Sequence, residues 1–199
     1  MDNYFKIIDN FFTTQECQEL INASKSIGYT PADISFPKAQ GGPRMIPSYR
    51  NNDRVLYQSE ELRKLIELRL LDSIPQSHKI QLTNTEIKTV NFVEVSGLFR
   101  FYRYQAGHYF KKHRDNSEQV FYNEQYKGIS RYTLLLYLNT VNENDGGYTK
   151  LIDNMLPNKI SVQPIAGRLL MFDHCILHEG DVLNSGTKYL LRTDLIYNG

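Results

Sequence analysis

The chain has 199 residues, of which 41% are hydrophobic and 23% charged, enough for one well-buried domain and unlike disordered, fibrous or membrane-spanning sequences. Lys plus Arg number 23 against 22 Asp plus Glu, and a net charge of +1 supplies no field to gather phosphate backbones or anionic lipid, so neither a nucleic-acid nor a membrane partner is expected. Two cysteines far apart, Cys17 and Cys175, read as reduced, mostly buried thiols, and the start of the chain shows no signal peptide, which makes a cytoplasmic location the default expectation.

Residues 4–12 read as a short strand ending at Thr13, where Thr13-Thr14-Gln15-Glu16 has capping-box spacing and opens a helix. Cys17, Leu20, Ile21 and Ser24 lie on one face of that helix, and Gly28 closes it. Pro31, Pro37, Gly41, Gly42, Pro43 and Pro47 exclude a long regular element over 29–50. Residues 36–50 read either as a lid, with the following RNNDR run (50–54) able to clamp a peptide backbone, or as a plain surface loop. A second amphipathic helix follows over 59–71, closed by Pro75. Beyond residue 85 the pattern becomes strands at 87–95, 98–104, 131–138, 148–152, 159–163, 168–172 and 188–197, which indicates a sandwich, jelly roll or barrel.

The five histidines, at 78, 108, 113, 174 and 178, limit any metal or acid–base site to a short list. In a strand, residues i and i+2 share a side, so His113 and Asp115 can converge on one ion, and His178 is the best third candidate. Two imidazoles and one carboxylate with open positions suit non-haem Fe(II), although an HxD pair alone is a weak signal. His174 and His178 have HxxxH spacing without the HExxH glutamate, so His174 reads as a structural or supporting residue. His108 reads as solvent-facing in a turn, His78 as a loop residue, and Gly146-Gly147 as a tight turn rather than a phosphate loop.

Four blocks, FRFYRYQAGHYFKKHRD (99–115), YTLLLYLN (132–139), DGGYTKL (145–151) and AGRLLMFDHCILHEGDVLNSGTKYLLRTDLIY (166–197), resemble the prolyl-4-hydroxylase-like branch of the 2-oxoglutarate and Fe(II)-dependent dioxygenases, as does RNNDRV at 50–55. The resemblance implies a double-stranded β-helix, or jelly roll, with N-terminal helices packed on one sheet: a single domain with helical and loop support over 1–85 and a catalytic core over 86–199. It implies Fe(II) held by His113, Asp115 and His178, with 2-oxoglutarate as co-substrate, O2 as oxidant and ascorbate as reductant. Lys188 then stands where related enzymes anchor the distal carboxylate of 2-oxoglutarate, with Arg192 as its competitor. Tyr137 looks like the hydroxyl partner of that carboxylate and Tyr104 like the tyrosine near the iron, while Thr133 shares the face of Tyr137. The implied reaction splits 2-oxoglutarate into succinate and CO2 and hydroxylates a prolyl or other side chain of a protein or peptide. Tyr148 and Phe110 depart from the family pattern at positions that can border the cavity.

Two rivals stand beside this expectation. The same iron centre acts on a small molecule or on nucleic acid, the latter through a rim of Arg44, Arg50, Arg54, Lys111, Lys112, Arg114 and Arg131. Alternatively, the chain is a non-catalytic jelly-roll module with a structural metal, against which stands an open ligand set accompanied by Lys188. The sequence carries no reading of oligomeric state.

Overall fold

A computed structural model describes residues 5–34, 42, 44–81, 83, 85–122, 124–154, 156 and 158–199. Much of the segment read as a lid, 36–41 and Pro43, lies outside these residues, but its base is pinned by a two-way backbone bridge between Ile34 and Arg44.

The long strands carry unbroken apolar runs, such as LLLY and LLMF, because their sheet is covered on both faces. That sheet is antiparallel, with β1 (Phe5–Ile8), β12 (Leu169–Asp173), β9 (Gln125–Tyr137), β14 (Thr187–Tyr197), β6 (Leu98–Gln105), β3 (Asp53–Gln58) and β2 (Thr30–Pro31) in spatial order. β5 (Ile87–Val95) pairs antiparallel with the end of β14, β4 (Ser77–Gln81) pairs with β5, and β8 (Gln119–Tyr122) pairs with β9. A smaller antiparallel sheet has the order β11 (Ile160–Val162), β10 (Thr149–Leu151), β13 (His178–Gly180), β7 (Phe110–His113).

The period of two decides which face each side chain joins. Phe99, Phe101, Leu134, Leu136, Leu169, Met171 and Leu191 turn to the helices α1 (Thr14–Ile27) and α2 (Glu60–Leu70), meeting Cys17, Ile21, Leu62, Ile66 and Leu70. Tyr102, Tyr104, Leu135, Tyr137, Leu170, Phe172 and Leu190 turn the other way and share a second core with Leu151 and Val162 of the small sheet. Two facing antiparallel sheets with helices on the outer face of one form the expected jelly roll.

Both helices start where the sequence places them. Thr13 accepts from the Glu16 backbone N–H while the Glu16 carboxylate accepts from the Thr13 N–H, and Ser59 caps α2. The first strand is shorter than expected: Asn10 adopts φ 54°, the chain turns, and Phe11 and Phe12 are buried beside Gly167. Residues 53–58, 77–81, 110–113, 119–122 and 178–180 form strands that the sequence pattern does not announce, since they are short or half-exposed and lack clean alternation. The first 85 residues thus contribute strands to the large sheet as well as helices.

Candidate active site

Strand register builds the centre of the site. β13 pairs antiparallel with β7 so that His178 stands directly opposite His113, and cross-strand partners present their side chains on one face. The two rings lie 4.2 Å apart between centroids. Asp115 comes from irregular backbone just beyond β7, so its convergence does not arise from strand periodicity; its N–H bonds to the His174 carbonyl at 3.2 Å, which fixes the turn. One potential ligand atom from each of His113, Asp115 and His178 falls within 4.8 Å of the other two, the only such group among the described residues.

The donor set fits a divalent metal. His113 Nδ1 lies 2.7 Å from the Lys111 carbonyl and His178 Nδ1 lies 2.9 Å from the Ile176 carbonyl, which leaves each Nε2 as the lone-pair nitrogen facing Asp115. Burial, reinforced by the neighbouring His178, pushes His113 down to about 3, and burial also pushes His178 down, so both rings are neutral and ready to ligate. Burial alone would raise Asp115, but neighbouring positive charge, that of Arg192 foremost, outweighs it and holds the carboxyl well below its usual range. Each carboxylate oxygen is also held: Thr133 Oγ1 donates to Oδ2 at 2.5 Å, and Arg192 approaches Oδ1 at 3.1 Å.

Two spaces meet at this cluster. The inner pocket runs past Thr133, Leu135 and Phe172 to Thr149 and Lys188. Lys188 is 1% exposed, donates to the Gly147 carbonyl at 2.6 Å, and sits over the Tyr104 ring at 4.3 Å. Burial pushes its ammonium down to about 7, with Asp181 only partly opposing. Gly146 and Gly147 form the expected tight turn, at φ 71° and 70°; a Cβ on Gly146 would lie 2.4 Å from the Val182 carbonyl, so only glycine brings the Gly147 oxygen to Lys188.

The outer space, about 360 Å³, opens to solvent and is lined by charged groups. Arg192 also contacts Asp194 at 3.1 Å; Arg100 reaches Asp194 at 2.9 Å and Glu118 at 3.6 Å; Arg54 pairs with Asp33 at 2.6 Å. Arg114 pairs with Asp153, and Arg50 and Arg192 border both spaces. Tyr102, buried among Arg50, Arg192 and Arg100, is held below its ordinary range by their charges despite the opposing effect of burial.

Several candidates occupy places that the sequence does not indicate. Tyr137 is fully buried behind the inner pocket, with its hydroxyl bonded to Thr149 Oγ1 at 2.7 Å, so Thr149 is the hydroxyl that lines the pocket. No sequence signal marks Thr149 beyond its place two residues after Gly147. Tyr104 lines the inner pocket, and burial raises its phenol to about 12. Arg192 lies against Asp115 and Asp194, four residues along β14 from Lys188. Phe110 borders both spaces and stacks on His113 at 3.6 Å, whereas Tyr148 lies outside them and donates to the Glu143 carbonyl.

His174 is buried behind the site, 3.4 Å from Asp194. His78 is a strand residue rather than a loop residue, half-buried 3.0 Å from the Tyr132 hydroxyl, and His108 is half-covered with its Nδ1 shielded, not solvent-facing. Cys17 is buried but Cys175 is exposed, because the turn after β12 carries it outward. The seven basic residues read as a rim do not act as one: Arg50 is buried, Arg54 and Arg114 are ion-paired, and Lys111 and Lys112 are exposed on β7.

Residues 99–193 match the model of the 2OG-Fe(II) oxygenase superfamily, which spans the three clustered groups and Lys188. This segment is a 2OG-Fe(II) oxygenase domain. The matched segment is thus that of a dioxygenase whose family uses Fe(II), 2-oxoglutarate and O2. No curated protein matches the sequence. Among solved structures, a viral collagen prolyl hydroxylase from Paramecium bursaria Chlorella virus-1, in complex with 2-oxoglutarate, is similar at 21% identity and TM-score 0.62, over 100% of this chain and 98% of that one. A Trichoplax adhaerens prolyl hydroxylase, in complex with a hypoxia inducible factor peptide fragment, is similar at 19% identity and TM-score 0.69, over 98% and 84%. HygX from Streptomyces hygroscopicus, with nickel, 2-oxoglutarate and hygromycin B bound, is similar at 13% identity and TM-score 0.56, over 98% and 83%. At these identities the likeness is one of fold. No described helix is long and apolar enough to cross a membrane.

Proposed function

We propose that this oxygenase hydroxylates a side chain, proline foremost, in a protein or peptide, while 2-oxoglutarate is converted to succinate and CO2. The observation that carries the reading is the placement of His113, Asp115 and His178 between a narrow inner pocket that reaches a buried lysine and a wider, charged outer chamber. When bound, Fe(II) supplies the redox chemistry with O2 and the keto acid. His113, Asp115 and His178 are proposed to hold it on one face, and their backbone and Thr133 partners keep the donors aimed. Lys188 and Thr149 are proposed to receive the distal carboxylate of 2-oxoglutarate, since a buried carboxylate needs a buried cation. Arg192, bound to Asp115 and Asp194, is the weaker candidate for that anchor. The peptide is proposed to enter by the outer chamber, on the side of the Ile34–Arg44 bridge.

Support for a peptide comes from the Trichoplax structure, which holds a peptide fragment. A small molecule is the second reading, favoured by the polar lining of the chamber and by the likeness to HygX, which holds hygromycin B. A cytoplasmic location belongs to the proposal and rests on two cysteines that form no disulfide.

The test is succinate formation from 2-oxoglutarate with Fe(II) and ascorbate, then mass spectrometry of a treated proteome and metabolite extract for added oxygen. His178→Ala should abolish both signals. Undiminished succinate formation by that variant would remove the assignment, and oxygen added only to metabolites would move the substrate to the second reading.

A further inference from the structure

Arg50 differs from the other arginines of the outer chamber. Five arginines line that space, residues 50, 54, 100, 114 and 192, against four carboxylates, Asp33, Asp115, Glu118 and Asp194. The other four each contact a carboxylate in an ion pair, whereas Arg50 has none among the described residues. It is nonetheless 94% buried, being 6% exposed. Its guanidinium is clamped between the rings of Tyr102 and Phe110, at 4.5 and 4.4 Å, and its Nε donates to the neutral Asn52 Oδ1 at 2.7 Å. Its Nη2 is buried with no hydrogen-bond partner.

A guanidinium held rigid by two rings, shielded from water and left one donor short is costly unless a ligand completes it. The residues beside it say where that ligand sits. Phe110, which covers one face of Arg50, stacks on His113, so the open donor borders the metal cluster. Pairing indicates what it is. Arg54, Arg100 and Arg192 have carboxylate partners in the chamber and Arg114 has Asp153 outside it, while the far end of a dicarboxylate has Lys188, so Arg50 is the arginine left without an anion among the described residues.

Resting on the function proposed above, we propose that Arg50 is a substrate-binding residue that takes a carboxylate of the substrate, so that the group hydroxylated here is carried by an acid: a free amino acid, or a peptide with an acidic residue beside the reacting one. The fork geometry of arginine suits two parallel hydrogen bonds to a carboxylate, and an amide in the same place accepts only one, at neutral strength.

The test uses the Mn(II)-loaded protein saturated with 2-oxoglutarate, in which binding is read without turnover from the relaxation that Mn(II) imparts to probe protons. The probes are matched acids and amides: L-proline against L-prolinamide, and prolyl tripeptides with glutamate against glutamine on either side of the proline. At least one acid should bind about ten-fold or more tightly than its amide, as expected when a charged hydrogen bond is exchanged for a neutral one. Arg50→Gln should erase that preference, and Arg50→Lys should keep part of it. Equal binding of every acid and its amide by the native protein, no binding of any probe, or a preference that survives Arg50→Gln would overturn the inference. Arg50→Gln weakening 2-oxoglutarate instead, with the acid preference intact, would assign the carboxylate to the co-substrate and overturn it too. Failure of the native protein to hold Mn(II) would count against the metal centre, a result separate from these.

Discussion

Replacing Lys188 by methionine should make the protein without its co-substrate more stable while destroying co-substrate binding. Methionine keeps the length and removes the charge. The ammonium is pushed from 10.5 down to about 7 by burial. At 1.36 kcal/mol per pH unit, that displacement costs the folded state about 5 kcal/mol at and below pH 7. Methionine removes this cost but leaves the Gly147 carbonyl without its donor, a loss of about 1–3 kcal/mol, so the variant should gain about 2–4 kcal/mol near pH 7. The sign of the pH dependence follows from proton counting. Between pH 7 and 10.5 the unfolded chain carries a proton on Lys188 that the folded chain lacks, so native stability rises with pH across that window. The variant lacks this rise, and its advantage should shrink as pH increases and reverse between about pH 8 and about pH 10. Urea unfolding of both proteins at about pH 6.5 and about pH 9.5 isolates the difference. For 2-oxoglutarate, titration calorimetry should show affinity weaker by about two to four orders of magnitude, since an unpaired buried carboxylate costs about 3–5 kcal/mol. A variant less stable than the native protein near pH 7, or one that binds 2-oxoglutarate normally, would refute the reasoning.

Two further substitutions probe the supports of the site. Thr133→Val keeps the shape but removes the hydroxyl that donates to Asp115 at 2.5 Å, and should lower Fe(II) affinity by about ten-fold or more in a metal titration with little change in unfolding; unchanged affinity would deny Thr133 a part in aiming the carboxylate. Gly146→Ala places a Cβ 2.4 Å from the Val182 carbonyl at φ 71°, and should cost about 1–3 kcal/mol in denaturant unfolding and raise the KM for 2-oxoglutarate, because the turn that presents the Gly147 carbonyl to Lys188 must shift; a neutral effect on both would contradict the crowding.

The sequence by itself determined the elements whose signal is local. The capping box at Thr13, the apolar faces of both helices and the long apolar strands follow from hydrogen bonds and periodicity within a few residues, and the structure has them where the pattern puts them. The HxD pair, the later histidine and Lys188 were legible because their spacing resembles a known family, and the superfamily match covers them. Tertiary structure alone decided the rest. It is register between β7 and β13, set 65 positions apart in the chain, that opposes His113 to His178, and a hydrogen bond to His174, not strand alternation, that delivers Asp115. It is burial that turns Arg50 from one member of an apparent basic rim into a clamped cation with an open donor, and that puts Thr149 rather than Tyr137 on the pocket wall. Which residues share a face is written in the local pattern; which faces meet, and which charges lose water when they do, depends on contacts between distant strands, and those have no local signature.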